Sequence, residues 1–77
     1  MAKGYITQII GPVVDVRFAP DDLPNLNDAV AIHFGDRLIY AEVMQQRGDG
    51  IVRCVSFAPT EGLTRNMEVT STGSPVK

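Results

Sequence analysis

Apolar residues along this chain come in short alternating bursts cut by turn signals, and the pattern predicts strands. Gly4 to Ile10 reads as a first strand. Gly11-Pro12 interrupts it, and Val13 to Phe18 follows as a second. In that second strand Val14, Val16 and Phe18 share one face, while Asp15 and Arg17 share the other. Ala29 to Phe34 is a third, with Val30, Ile32 and Phe34 on one side and His33 on the other. Gly35-Asp36 then turns the chain into a fourth strand, from Arg37 to about Gln45. Gly48-Asp49-Gly50 suits a hairpin, because these residues tolerate positive φ. Ile51 to Phe57 is the fifth strand, and Met67 to about Ser71 a short sixth.

Helical evidence is thin. Pro12, Pro20, Pro24, Pro59 and Pro75 break the candidates, and the best of them, Leu38 to Gln46, sits between two hairpin signals. The fold class is therefore all-β, a small closed or nearly closed six-stranded barrel. Two longer segments, Ala19 to Asp28 and Ala58 to Asn66, read as ordered loops that Leu23, Leu26 and Leu63 pin to the body.

An internal repeat bears on the architecture. A shift of about 39 positions sets Gly11 on Gly50, Val13 on Val52 and Val16 on Val55. Phe18-Ala19-Pro20 then falls on Phe57-Ala58-Pro59, and Asn27 and Val30 fall on Asn66 and Val69. One reading is duplication of a three-strand unit, giving pseudo-two-fold symmetry; the other is chance recurrence of strand-then-turn composition. The repeat also nominates Val16, Phe18, Val55 and Phe57 as core, although Arg53 shares a strand face with the last two.

Length admits one domain, residues 1–77, with a thin core. The formal net charge is -2, and the arginines are scattered, with no basic stripe of the kind that nucleic-acid binders carry. Two tyrosines and three phenylalanines are few for a base-stacking platform. Cys54, the single cysteine, reads as a small apolar strand residue and points to a reducing compartment. No apolar run approaches the ~20 residues of a membrane-spanning helix. The opening M-A-K-G-Y-I-T-Q lacks a signal-peptide pattern, so the expectation is a cytoplasmic protein.

Candidate chemistry is sparse. No G-x-x-x-x-G-K-[ST] phosphate loop occurs, so no nucleotide is expected to bind. His33 reads as a solvent-facing strand residue, and no close-spaced ligand set suggests a metal. Asp21-Asp22 reads as a solvated pair in a Pro-rich loop, and Ser56 lacks a nucleophile's context. No catalytic, cofactor-binding or metal residue is assigned.

The stretch G-Y-I-T-Q-I-I-G-P-V-V-D-V-R-F, Gly4 to Phe18, resembles the opening of the β subunit of F-type ATP synthases. Leu23-Pro24, Ala41-Glu42-Val43, Gln45-Gln46, Gly48-Asp49-Gly50, Val52-Arg53, Thr60-Glu61-Gly62-Leu63, Met67-Glu68-Val69 and Thr72-Gly73-Ser74-Pro75 follow in the family's order. Asn66 stands where the family often has glycine, Cys54 to Phe57 replaces a stretch with threonine or alanine and methionine, and Arg17 replaces a frequent acid. The resemblance implies a non-catalytic N-terminal barrel, part of a crown that holds an alternating ring of α and β subunits together. It implies α subunits as partners on both sides, no nucleic acid and no direct membrane contact. The nucleotide-binding and helical domains of the parent would lie beyond Lys77, and the isolated barrel would be monomeric or weakly associating. The parent would make ATP from ADP and phosphate with a proton or sodium gradient, on the cytoplasmic face of a bacterial inner membrane. The equivalent barrel of a vacuolar-type or flagellar-export ATPase, or a free-standing OB-like nucleic-acid-binding barrel, is the alternative.

Overall fold

A computed structural model describes residues 2–75. Six strands follow in order: β1 Lys3–Ile10, β2 Val13–Arg17, β3 Asp28–Phe34, β4 Arg37–Gly48, β5 Ile51–Ser56 and β6 Glu68–Pro75. They close in the circle β1-β2-β5-β4-β3-β6, with every neighbouring pair antiparallel. All six expected strands are present. β4 and β6 run further than their apolar patterns suggest, because polar residues extend a ladder as readily once a partner strand is beside them.

Alternation fills the interior. Ile6, Val14, Val16, Val30, Ile32, Val43, Val52 and Val69 are fully buried, together with the smaller Ala41 and Cys54. Burying one such branched side chain is worth roughly 1.5–3 kcal/mol, and β-branched residues also suit the pleated wall. Phe18 and Leu63 belong to the same cluster. Leu23 packs against it from its loop, as expected, whereas Leu26 points to solvent and pins nothing.

The circle carries the symmetry that the repeat suggests. Advancing every strand by three turns β1-β2-β5-β4-β3-β6 into β4-β5-β2-β1-β6-β3, the same circle read in the opposite sense. Local details follow it. Both β1 and β4 shift register after a buried residue, β1 between Ile6 and Gln8 and β4 between Val43 and Gln45. Asn27 and Asn66 both take positive φ, 72° and 74°, and precede β3 and β6. Their N–H groups donate to the carbonyls of Val43 (2.8 Å) and Ile6 (2.7 Å), the two residues at the register shifts. Asparagine is one of the few non-glycine residues that enters this region at low cost.

The residue alignment, however, differs from the sequence repeat in one half. Asp15 pairs directly with Arg53, and symmetry about that pair carries Val14 to Val52 and Val16 to Cys54. That is one residue short of the shift that matches the sequences. An odd slip turns every side chain to the other face of a sheet. Consequently Val16 and Phe18 are buried, while Val55 is only half-buried and Phe57 is 56% exposed. The expectation that Val55 and Phe57 belong to the core is therefore corrected: they lie on the outer face with Arg53, and Val52, Cys54 and Ser56 point inward. The Asn27–Asn66 and Val30–Val69 matches do hold, since Ala31 faces Thr70 across β3–β6 and symmetry about that pair sets Val30 on Val69.

The two phenylalanines should therefore respond differently to truncation. Phe18→Ala is expected to cost about 3–5 kcal/mol, whereas Phe57→Ala should cost no more than ~0.5 kcal/mol. Urea unfolding of both variants measures this directly, and equal losses would contradict the assigned faces.

Candidate interfaces of the barrel

The chemistry-bearing residues are dispersed. Asp21 and Asp22 are exposed on the loop after β2, and the Asp22 N–H donates to the Ala19 carbonyl in a tight turn. His33 lies half-buried on the outer face of β3, with Nε2 3.0 Å from Thr70 Oγ1 and 3.9 Å from Glu68 Oε2. Glu68 also reaches Lys3 Nζ at 3.8 Å. These are exposed contacts worth little individually. Ser56 is buried, and its hydroxyl donates to the Ala58 carbonyl at 2.8 Å and accepts the Ala58 N–H at 3.2 Å. That is a local turn motif with no base beside it. Among the described residues, no three of His, Cys, Asp and Glu gather as a metal set.

Two buried groups were harder to read. Asp15, which alternation sets on the face away from Val14 and Val16, is buried although it faces outward. The Arg53 guanidinium lies across it and donates from Nε to Oδ1 at 3.0 Å and from Nη2 to Oδ2 at 3.2 Å. This fork-on-fork pair is planar and directional, which suits a fixed register. The hydrogen bond to Asp15 raises the Arg53 pKa above its ordinary value. On the inner side of the same seam, burial pushes the Cys54 thiol up to about 12, with the Asp15 charge adding to it. Cys54 is thus a packing residue held in its neutral form.

The outer surface carries the remaining signal. Ile39, Ala41 and Val43 of β4 point inward, so Leu38 and Tyr40 point outward, and they are 50% and 46% exposed. The Phe57 N–H donates to the Tyr40 carbonyl at 3.0 Å, which sets a second exposed aromatic beside the first. Leu38, Tyr40, Phe57, Ala58, Thr72 and Pro75 line a shallow open cavity on this side. β1 stands three places from β4 in the circle, on the opposite side of the barrel, and it exposes Tyr5 and Ile10. A strand apolar on both faces, such as R-L-I-Y-A-E-V in β4, needs one face for the barrel and leaves the other for a contact outside it.

A sequence model of the ATP synthase alpha/beta family, beta-barrel domain, matches residues 6–73. The chain belongs to this family. The match runs from within β1 to within β6 and so takes in nearly the whole closed circle. The ATP synthase alpha/beta barrel is a non-catalytic domain, in keeping with the dispersed polar groups described above. Membership also implies assembly within an α/β ring, for which a barrel needs outward contact surface.

Two outcomes test the buried groups. Arg53→Met strands the Asp15 carboxylate and should lower the Tm, whereas adding Asp15→Leu should recover much of that loss. Equal Tm values for the single and double variants would refute the pairing. For Cys54, folding raises the thiol pKa from an ordinary 9.0 to about 12. The stability this confers is fully present below pH 9 and is lost as pH rises through the folded value. Iodoacetamide labelling at pH 8.5 should therefore require opening of the barrel and be far slower than labelling of the unfolded chain. Fast labelling of the folded barrel would show an accessible thiolate.

Proposed function

We propose that this barrel is the N-terminal crown domain of an F-type ATP synthase β subunit, a non-catalytic element that joins neighbouring subunits of the ring. The observation that carries the reading is the apolar outer patch of Leu38, Tyr40 and Phe57, with β1 exposing Tyr5 and Ile10 singly among polar residues on the opposite side of the circle. A subunit in an alternating ring touches a different surface on each side, and heterologous contacts of that kind need two unlike faces. The opening G-Y-I-T-Q-I-I-G-P-V-V-D-V-R-F supports the β subunit in particular. The partners are α subunits on both sides. The parent enzyme makes ATP from ADP and phosphate with an ion gradient, as a complex on the cytoplasmic side of a bacterial membrane. Nucleotide chemistry belongs to a downstream domain of that parent.

Contacts between single barrels are expected to fall short of the ~1,600 Å² of a typical stable pair, so the barrel alone should bind weakly and remain monomeric at tens of micromolar. Titration of the isotope-labelled barrel with the barrel domain of an α subunit tests this by NMR. Amide shifts are expected on both faces, around Leu38, Tyr40 and Phe57 and around Tyr5 and Ile10. Tyr40→Asp should abolish the first set and leave the second. An absence of shifts on either face at millimolar α barrel would overturn the reading.

A further inference from the structure

Neither half of this barrel can close by itself. In the first half, β1–β3, only β1 and β2 pair with each other; in the second, β4–β6, only β4 and β5 do. The other four seams, β2–β5, β3–β4, β3–β6 and β1–β6, all join one half to the other. β3 and β6 find both of their neighbours across that divide. Side-chain ties cross it too: Arg53 to Asp15, Gln46 Nε2 to the Pro24 carbonyl at 2.9 Å, and Thr72 Oγ1 to the Ala29 carbonyl at 2.8 Å. The covalent link between the halves is the two residues Gly35-Asp36, between the paired Phe34 and Arg37.

We propose that a second copy of this chain is a partner the barrel can accept by exchange of halves: β1–β3 of one copy close with β4–β6 of the other. A strand's hydrogen bonds are indifferent to which chain supplies the neighbour, so each of the two exchanged barrels repeats every inter-strand contact of the monomer. Only Gly35-Asp36 changes, from a tight turn to a straight crossing between barrels. Leu38 stands exposed next to that crossing and adds apolar surface where the barrels meet.

Tethering decides which form wins. A short connection keeps the two halves at an effective concentration of roughly millimolar or more, so the closed monomer dominates at tens of micromolar. The balance tips when the turn is penalised. Gly35 sits at φ +63°, and a Cβ there would meet no atom within 4 Å. A β-branched residue at that position thus strains the turn without creating a clash. Gly11 is a matched control: φ +54°, equally open, but in the turn between β1 and β2, inside one half.

Analytical ultracentrifugation of the full chain at tens of micromolar tests the exchange. Gly35→Val is expected to sediment at twice the monomer mass with an unchanged far-UV spectrum, while Gly11→Val stays monomeric. A folded monomeric Gly35→Val, or equal dimerisation of both variants, would overturn the proposal. A second measurement covers failure of Gly35→Val to fold. One full chain carries Val14→Asp and Val16→Asp, and another carries Val52→Asp and Cys54→Asp, so the lesions lie in different halves. Exchange produces one barrel with every lesion and one with none. Co-refolding should restore about half of the native NMR signal, which neither chain gives alone. No recovery on mixing would refute exchange.

Discussion

Closure of the circle is the constraint on which everything else depends. In the ladder β3 pairs with β4 and β6, and β6 with β1 and β3, so these two strands have no place in the sheet until the opposite half is present. The hairpins β1–β2 and β4–β5 are local, but a two-stranded hairpin is marginal in water. The interior exists only when both are joined, because Ile6, Val16, Val30, Val43, Val52 and Val69 come from six different strands and meet in one cluster. A core this small leaves no strand independently stable. The fold is accordingly all or nothing.

The outer wall shows what closure makes possible. Where the symmetry relation crosses the β2–β5 seam, it sets Asp15 directly opposite Arg53, and the ion pair forms across the ladder. On the opposite seam the matching place holds Ala31 and Thr70, which make no such bond. The halves thus share a backbone plan while their surfaces have diverged. That divergence is useful for assembly: β1 presents Lys3, Tyr5 and Ile10, and β4 presents Leu38 and Tyr40 with Phe57 alongside. A symmetric barrel with identical outer faces would favour pairing with itself, whereas unlike faces suit unlike neighbours.

The sequence by itself determined the strand count, the turns and the family. Those properties are local, since alternation, Gly35-Asp36 and Gly48-Asp49-Gly50 act over a few residues. It also carried half of the internal symmetry, in the paired Asn27 and Asn66, because a left-handed turn selects its residue without reference to the rest of the chain. The tertiary structure alone decided the register. Phe18-Ala19-Pro20 and Phe57-Ala58-Pro59 are identical in sequence, yet one phenylalanine is buried and the other is exposed. A strand's face is set by the partner it pairs with, and the Asp15–Arg53 register places β5 one residue away from where the repeat alone puts it. The same holds for the outer contact surface. Tyr40 and Phe57 lie far apart along the chain, and only the β4–β5 seam brings their backbones within a hydrogen bond of each other.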